Sequence, residues 1–339
     1  MLPLGKEIKM RKKIVLVILG YILLINISPV HAAINTPSNL YIVKSGDSLP
    51  AIAHTYGTTV EDLKRTNGLQ SDTLAAGQKL YVPILYEVMA EDSLDQISAD
   101  YHSSAEAIKI TNGLTSNQLY LGQKLMISPK RMNMDGQHIL MTKEEFGNWL
   151  FHNQFTRKIN IIQHHHTWLP SYKQFHGSNH FNMLKGMENF HVKEMGWKTI
   201  AQNITTFPDG KVAVSRPFNI APEGTIGVRA NTTGLTIENV GNFDIGHDVM
   251  TQEQKDTIVT ITALLCIKFG LTPSIDSITY HHWWNLRTGE RVLDNGPDYN
   301  VKTCPGTGFF GGNSTASARN NLYPLVARKM QEIAASMEK

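Results

Sequence analysis

Cysteine is scarce in this chain of 339 residues, which contains only Cys266 and Cys304. Two cysteines exclude a disulfide-rich scaffold, because such a scaffold needs several pairs. Cys266 lies in an apolar pattern of helical period that follows Thr251 and stops at Gly270, which predicts a buried position in a helix. Cys304 lies in Lys-Thr-Cys-Pro-Gly, between a lysine and a turn, where a thiol can be presented to a site. The two cysteines therefore have different predicted roles.

Long apolar runs are also missing, with one exception near the amino terminus. Five basic residues precede the apolar run Ile14–Ile27, and Val30 and Ala32 then occupy the positions where a signal-peptidase site has small residues. The run is shorter than the roughly 20 residues that a membrane span requires. Residues 1–32 are therefore predicted to be a signal peptide that is cleaved after export, so that the chain meets a membrane only during export.

A surplus of positive charge is absent once this leader is set aside. The whole chain has a formal net charge of +3, but residues 1–32 contain five basic residues and one acidic residue, Glu7, so the remaining chain has a net charge of −1. A chain without a basic surplus gives no argument for nucleic-acid binding. Its composition, 41% hydrophobic and 18% charged, is that of ordinary soluble domains, and its length allows two or three of them.

The most evident positive feature is an internal repeat. A stretch that begins at Leu40 recurs without a gap from Leu85. Both copies have Ser-Leu at the start of one predicted helix, Asn-Gly at the end of a second, and Gly-Gln-Lys-Leu before a final apolar strand. Each copy is therefore predicted to fold as strand, helix, helix, strand.

These two copies resemble LysM modules, small βααβ domains that bind the N-acetylglucosamine-containing glycans of peptidoglycan or chitin. The resemblance extends over each copy from end to end and defines modules at residues 40–84 and 85–129. The second copy has Glu91 and His102 where the first has Gly46 and Gly57, which leaves its affinity for glycan open. A role of the repeats as protein-interaction spacers is the alternative.

A polar stretch separates the repeats from the rest of the chain, and residues 130–141 are predicted to form a linker. A capping-box pattern from Thr142 to Glu145, followed by an apolar stripe, begins a helix and a third domain over residues 142–334. Strand-like runs alternate there with amphipathic helices, which predicts an α/β fold. The strand-like runs are residues 159–163, 234–240 and 277–280.

Three segments of the third domain combine a potential metal ligand with a strand end or a rigid turn. They are His-His-Thr-Trp from His165, Tyr-His-His-Trp from Tyr280, and Lys-Thr-Cys-Pro-Gly from Lys302. Two imidazoles and a thiolate are a ligand set that leaves one coordination position of zinc open. The three histidines 164–166 cannot all face one site, because neighbouring strand residues point to opposite faces. From spacing alone, surface histidines and an inert cysteine remain the alternative.

The same segments occur in the order found in zinc-dependent N-acetylmuramoyl-L-alanine amidases, the family that also contains peptidoglycan recognition proteins. The chain resembles this family over about residues 160–306, most specifically in His-His-Thr and Cys-Pro-Gly. The resemblance implies a central mixed β-sheet flanked by helices, with Zn²⁺ held by His165, His281 and Cys304. His282 stays open as an alternative to His281, because the family motif has one obligatory histidine there. His166 is expected to orient the turn or to support a ligand.

The resemblance also implies two catalytic groups. One branch of the family has a tyrosine at the position of Gln202, and a glutamine cannot transfer a proton. Another branch has a glutamate in an Ile-Glu strand that Glu238 matches, so Glu238 is expected to place the attacking water and pass its proton to the leaving amine. Lys302 resembles the lysine that stabilises the tetrahedral oxyanion. A carboxylate at a solvated strand end and a surface lysine are the alternatives for these two residues.

Together these features predict a secreted, cell-wall-associated peptidoglycan hydrolase. Its LysM modules are expected to hold glycan strands while zinc-activated water cleaves the amide bond between N-acetylmuramic acid and L-alanine of a muropeptide. A non-catalytic peptidoglycan-binding receptor of the same fold is one alternative, but receptors of this family commonly lack the cysteine that Cys304 supplies. A zinc hydrolase that acts on another amide of the stem peptide is a second alternative.

Overall fold

The fold is given by a computed structural model, which describes residues 38–223, 227–298 and 301–337. The predicted signal peptide, residues 1–32, lies outside the described residues. Residues from Ser38 onward belong to one compact unit. Within the described residues, no helix combines the length and the apolar character that a membrane crossing needs.

Both repeats have the order strand, helix, helix, strand. In the first, Ser48 caps a helix by accepting a hydrogen bond from the amide of Ala51, and Gly68 ends the second helix in the left-handed region at φ 59°. The two strands of each repeat pair antiparallel and enclose a small apolar core. The elements of the first repeat are β1 (Leu40–Ile42), α1 (Leu49–Thr55), α2 (Val60–Asn67) and β2 (Lys79–Tyr81). Those of the second are β3 (Ile84–Glu87), α3 (Leu94–Asp100), α4 (Ala105–Asn112) and β4 (Lys124–Ile127).

The third domain is built on one mixed sheet of seven strands, which confirms the predicted α/β class. Its strands are β5 (Asn133–Asp135), β6 (His138–Met141), β7 (Ile161–His166), β8 (Ile204–Thr206), β9 (Val212–Val214), β10 (Gly234–Asn239) and β11 (Ile278–Tyr280). In space their order is β11, β7, β10, β8, β9, β6, β5. The first four are parallel and the others pair antiparallel. The parallel strands therefore present their carboxyl ends at one edge, where ligand sites of α/β sheets commonly lie.

Helices cover both faces of this sheet. Helices α5, α8 and α10 share the main apolar core on one face, and α6 packs on the other face over β6 and β9. Their bounds are α5 (Lys143–His152), α6 (His180–Lys193), α7 (Val228–Thr233), α8 (Gln252–Phe269), α9 (Thr315–Ser317) and α10 (Tyr323–Met337), with a π-helical turn at Ala318–Leu322 before α10. Short 3₁₀ turns lie at Tyr172–Gln174, His281–Trp283, Leu293–Asn295 and Phe309–Gly311. Cys266 of α8 is fully buried, as its apolar surroundings in the sequence predict.

The prediction that residues 130–141 form a linker is wrong for most of these residues, because they form two strands. Strands β5 and β6 form a hairpin that belongs to the central sheet, with β6 paired to β9. The turn contains Gly136 in the left-handed region at φ 60°, directly after Asp135. Asp-Gly is a common hairpin turn, but the flanking strands are too short to show a periodic pattern in the sequence. The polar character of β5 follows from its position at the sheet edge.

The first repeat packs directly against the third domain. Trp149 of α5 is nearly buried, and its indole N–H donates to the carbonyl of Gly68 at 3.2 Å. The amide of Gln70 donates to the carbonyls of Gln137 at 2.8 Å and Ser215 at 3.0 Å. These bonds satisfy backbone groups of both partners, so the repeat is docked on the domain and does not hang from an extended linker.

A second junction brings together side chains from all three domains. The ring of Tyr81 in β2 lies between two histidines, with ring centroids 4.4 Å from His102 of the second repeat and 4.9 Å from His152 of α5. The phenol oxygen of Tyr81 is also 2.8 Å from Nε2 of His102. His102 has a positive φ of 51° where the first repeat has Gly57, so the second repeat accepts backbone strain at the residue that makes this contact.

Candidate active site

The three predicted zinc ligands come from separate segments that meet at the carboxyl ends of neighbouring strands. His165 is the penultimate residue of β7. Strand β11 pairs with β7 so that Tyr280 lies opposite His164, and His281 therefore follows beside His165 on the same face of the sheet. Cys304 lies in the loop beyond, and its Sγ accepts a hydrogen bond from a backbone amide of β7 at 3.3 Å.

These three side chains form a compact, buried cluster. One ligand atom from each of His165, His281 and Cys304 lies within 4.8 Å of the others, and the residues are 2%, 6% and 5% exposed. The two imidazole rings have centroids 4.6 Å apart. Nε2 of each histidine is buried and has no hydrogen-bond partner among the described residues. Buried polar nitrogens are normally paired, so this arrangement fits ligands directed at a common metal ion.

Burial controls the ionisation of the three groups. It lowers the pKa of His281 to about 3, and it keeps the pKa of His165 well below the usual value, with repulsion from His281 as a further cause. Burial raises the pKa of the Cys304 thiol well above its usual value. Neutral imidazole is the form that binds metals, and a divalent cation supplies the charge that stabilises a buried thiolate. The donor set therefore fits zinc.

Glu238 lies beside the cluster at the position of β10 that is paired with His165. Its Oε1 is 3.8 Å from Nδ1 of His165, and its Oε2 is buried without a hydrogen-bond partner among the described residues. Burial raises the pKa of this carboxyl to about 8, and the positive charge of Lys302 lowers it in part. A carboxyl in this setting can accept and release a proton near neutral pH.

Lys302 lies at the solvent side of the same cluster. Its side chain is exposed, whereas Cys304, two residues later, is buried. Its positive charge lowers the pKa of His165, His281 and Glu238, although burial has the larger effect on each. A flexible ammonium group at the edge of the site can reach an oxygen that develops negative charge.

The other two histidines of β7 have different surroundings. His164 is fully buried on the opposite face of the sheet, with Nε2 3.3 Å from the hydroxyl of Thr262 in α8. Nδ1 of His166 accepts a hydrogen bond from the amide of Phe243 at 3.2 Å, which fastens the loop after β10. The structure therefore brings His165 alone of the three into the ligand cluster.

His282 also lies next to the cluster but makes backbone contacts. Its Nδ1 is 2.7 Å from the carbonyl oxygen of Lys302, and its amide donates to the carbonyl of Cys304 at 2.7 Å. These bonds hold the cysteine loop against β11. Of the two neighbouring histidines, the geometry directs His281 and not His282 toward the other ligands.

Gln202 lies near Glu238 but cannot replace it as a proton carrier. It is fully buried, and its amide nitrogen donates to the hydroxyl of Thr205 at 3.1 Å. Thr205 of β8 is paired with Glu238 of β10, so the three side chains are neighbours across the sheet. Because an amide does not ionise near neutral pH, Glu238 is the titratable member of this group.

Asp244 is a site residue for which the sequence predicts no role. Its Oδ2 accepts a hydrogen bond from the hydroxyl of Thr303 at 2.9 Å, and its Oδ1 accepts one from the amide of Thr307 at 3.0 Å. These two residues flank Cys304, so one carboxylate holds both sides of the cysteine loop. The only signal in the sequence is that Gly-Asn-Phe-Asp lies after a strand, which does not reveal a partner so far along the chain.

Comparison with protein-family models assigns most of the described chain. Residues 41–83 and 86–128 match the LysM domain model, and residues 155–307 match the model described as N-acetylmuramoyl-L-alanine amidase. The chain contains two LysM domains and a domain of the N-acetylmuramoyl-L-alanine amidase family. All three proposed ligands and Glu238 lie within the part of the chain that matches the amidase model.

Curated relatives match the chain only over short stretches. The probable peptidoglycan endopeptidase LytE of Bacillus subtilis is 60% identical over 42 residues, which is 12% of this chain and 13% of the relative. The N-acetylmuramoyl-L-alanine amidase sle1 of Staphylococcus epidermidis is 54% identical over 43 residues, 13% of each protein. The chain therefore spans about an eighth of these relatives, and the matched length is that of a single LysM domain.

Solved structures with some likeness include an animal protein and a bacterial enzyme. Drosophila PGRP-LB is 18% identical, with 47% of this chain and 81% of that chain covered, at a TM-score of 0.36. The N-acetylmuramoyl-L-alanine amidase LysC from Clostridium intestinale is 20% identical, with 45% and 80% covered, at a TM-score of 0.32. These likenesses are slight and add nothing to the assignment of the amidase domain by its family model.

Proposed function

We propose that this protein is a peptidoglycan hydrolase that cleaves the amide bond between N-acetylmuramic acid and L-alanine. The observation that supports this most is the meeting of His165, His281 and Cys304 beside Glu238, inside a domain of the amidase family. Three protein ligands with an adjacent carboxyl are the arrangement of a hydrolytic zinc site, whereas a structural zinc site has four protein ligands.

The ligands in this proposal are His165, His281 and Cys304, and each remaining group has a separate task. Zinc, when bound there, supplies Lewis acidity and lowers the pKa of water. Oε1 or Oε2 of Glu238 accepts the proton of the attacking water and delivers it to the nitrogen of the departing L-alanine. The ammonium group of Lys302 stabilises the negative charge that develops on the carbonyl oxygen. Burial of the cluster strengthens these electrostatic effects, because it limits competition from water.

The LysM domains have the binding role in the proposal. They hold glycan strands of the cell wall, and this raises the concentration of cleavable bonds near the amidase site. Because the first LysM domain is docked on the amidase domain through Trp149 and Gln70, the captured glycan has a restricted orientation relative to the site. In this proposal the predicted signal peptide directs export, and the working protein acts outside the cell in association with the wall.

Two other functions use the same architecture. A peptidoglycan receptor would bind the muropeptide without cleaving it, but it has no need of a thiolate ligand, and Cys304 is present and directed at the histidines. A hydrolase of another amide in the stem peptide would use the same zinc set and proton carrier. The products of peptidoglycan digestion distinguish these functions from the proposed one.

Digestion of purified peptidoglycan with the mature protein tests the proposal. Mass spectrometry should find new L-alanine amino groups together with intact muramic acid. New reducing sugar ends, or new amino groups on other residues of the stem peptide, would show that the protein is a hydrolase of a different bond. The absence of any new ends, with binding to the wall retained, would favour the receptor.

Removal of metal tests the ligand set. Exhaustive chelation should abolish hydrolysis, and zinc should restore it in the wild type but not in Cys304→Ala, because two protein ligands hold zinc poorly. Zinc content measured after dialysis gives a readout that is independent of activity. Full activity and full zinc content in His165→Ala would rule out the proposed ligands.

A further inference from the structure

Trp168 has an unusual backbone conformation and an exposed ring beside the ligand strand. Its φ is 56°, in the left-handed region, and its side chain is 61% exposed. A bulky residue at positive φ is uncommon and costs energy, and such residues cluster at functional sites. Trp168 gains little from burial in return, so packing does not explain why a tryptophan occupies this position.

The conformation is imposed by the strand that carries Glu238. The amide of Trp168 donates to the carbonyl of Gly241 at 3.0 Å, and the amide of Thr167 donates to the carbonyl of Asn239 at 3.1 Å. The hydroxyl of Thr167 in turn accepts a hydrogen bond from the amide of Gly241 at 3.0 Å. The segment after β7 is therefore fastened to the segment after β10, and the backbone of Trp168 has a set position beside β10.

Large aliphatic residues are also exposed on the loop that contains Trp168 and on the loop after β10. Leu169, Ile245 and Val249 are all exposed, although they are large aliphatic residues. Their two loops are joined through Asp248, whose Oδ2 accepts hydrogen bonds from the amides of Tyr172 and Asn242 at 3.1 and 2.8 Å. Exposed apolar groups at the edge of a polar, buried cluster are typical of a binding surface for a ligand that has one apolar face.

We propose that the exposed indole face of Trp168 binds the pyranose ring of the muramic acid whose lactyl amide is cleaved. This inference rests on the proposed amidase function and names the part of the substrate that the site recognises. Trp168 is three positions after His165, so their Cα atoms are at most about 11 Å apart. The pyranose ring is joined to the reacting carbonyl only by the short lactyl group, and it lies within that reach when the carbonyl is at the ligand cluster.

The chemistry of the indole favours the sugar over the stem peptide. A pyranose presents a flat face of C–H groups that matches a flat aromatic face, and its hydroxyl groups lie at the rim where water still solvates them. A peptide lying on an indole face would leave its N–H and C=O groups without partners there. Trp168 touches no reacting atom, so it is a positioning residue whose effect belongs mainly in KM.

Paired substrates test this inference. The first is N-acetylmuramoyl-tripeptide, and the second is the D-lactoyl-tripeptide with the same amide bond but no sugar. In the wild type, the ratio of kcat/KM for the two substrates measures the contribution of the sugar. Trp168→Ala should lower this ratio about 5- to 50-fold, the usual range for the loss of one stacking contact, while Trp168→Phe should keep most of it.

Phe190→Ala is the matched control, because Phe190 is an exposed aromatic residue of α6. It should leave the ratio unchanged. An unchanged ratio in Trp168→Ala, or equal losses on both substrates, would overturn the sugar contact. The outcome differs from failure of the proposed function itself, in which case the wild type cleaves neither substrate.

Trp168→Gly separates the contact from a structural role. Glycine adopts positive φ without strain, so the melting midpoint should be equal to or above that of the wild type, while the substrate ratio falls as in Trp168→Ala. A lower midpoint together with equal losses on both substrates would mean that the indole stabilises the fold and does not bind the sugar.

Discussion

At the scale of single residues, the site separates groups that the sequence presents as near equivalents. His164, His165 and His166 are adjacent in the chain, yet one packs behind the sheet, one joins the ligand cluster and one fastens a loop. The alternation of strand side chains causes the first difference. His166 differs from His165 because its Nδ1 binds the loop that follows β10. Glu238 and Gln202 also differ, since Glu238 approaches His165 and can ionise, whereas the amide of Gln202 cannot ionise.

Substitution of Glu238 tests its assignment as the proton carrier. Glu238→Gln should keep the fold and the zinc content but lower kcat by roughly 10²- to 10⁴-fold, the usual loss for a general acid or base. Gln202→Ala should cost far less, because its amide carries no proton in the reaction. Metal analysis must accompany the kinetics, since a zinc-free variant would also be inactive. A zinc-loaded Glu238→Gln with nearly full activity would move the proton transfer to another group.

At the scale of elements, the loops that follow β10 and β11 depend on each other. Asp244 lies after β10 and binds both sides of the cysteine loop. Gly306 completes the contact, because its φ is 117° and a Cβ there would lie 2.5 Å from the carbonyl of Phe243. Close backbone approach and positive φ both require glycine at this position. The thiol of Cys304 is thus held by tertiary contacts and not by a regular element.

Loss of the Asp244 carboxylate should loosen the loop that carries Cys304, the third proposed zinc ligand. Asp244→Ala is expected to weaken zinc affinity about 10- to 100-fold, the usual effect of removing a group that orients a metal ligand. Asp244→Asn keeps one acceptor oxygen, so its zinc affinity should lie between that of Asp244→Ala and that of the wild type. Competition with a chelator of known affinity measures the change. Equal zinc affinity in all three proteins would show that the cysteine loop holds its shape without Asp244.

The contact between the first LysM domain and α5 can be tested with two equivalent glycines. Gly68 and Gly113 end the second helix of each repeat with φ of 59° and 65°. An alanine Cβ at Gly68 would lie 2.6 Å from Sδ of Met132 and 3.0 Å from the Trp149 ring, whereas Gly113 has no atom within 4 Å. Both substitutions should cost about 1 kcal/mol for the left-handed conformation. Gly68→Ala should cost about 1–3 kcal/mol more, because it overpacks the docked contact.

Chemical denaturation of the two alanine variants measures this difference. The midpoint of Gly68→Ala is expected below that of Gly113→Ala, and replacing Met132 by a smaller residue should recover part of the loss. Equal midpoints would indicate that the first LysM domain and the amidase domain do not pack together in solution.

At the scale of the whole molecule, the three domains are joined by contacts and not only by the chain. Trp149, Gln70 and Tyr81 take part in interfaces that cross domain boundaries. A docked arrangement restricts the directions from which a captured glycan can enter the amidase site. This differs from flexible tethering, which raises local concentration without selecting an orientation.

Removal of both LysM domains tests their role in wall binding and their docking on the amidase domain together. A variant that begins at Pro129 should bind insoluble walls much more weakly but turn over a small soluble muropeptide at nearly the wild-type rate. Its unfolding free energy should fall by about 1–3 kcal/mol, because apolar surface around Trp149 becomes exposed. Equal losses on both substrates would contradict a separate binding role. An unchanged unfolding free energy would contradict docking.

Local chemistry in the sequence predicted much of this molecule. Capping residues and glycines predicted the ends of the LysM helices, and the cap at Thr142 predicted the start of α5. These features depend on neighbours within a few residues, so they can be found without tertiary information. The predicted strand over residues 159–163 begins two residues before β7 and ends three residues before the end of β7, because three successive histidines interrupt the apolar pattern there.

Residue identity and local spacing are sufficient to predict the domain types and the kinds of side chain at the proposed site. The meeting of His165, His281 and Cys304 depends on tertiary structure, since strand pairing brings together segments that are far apart in the chain. Tertiary contacts also make a sheet-edge hairpin from residues that the sequence predicts to be a linker, and they dock the first LysM domain on the amidase domain. These outcomes depend on contacts between residues that are far apart in the sequence. Such contacts stabilise the fold only once the distant surfaces are buried together.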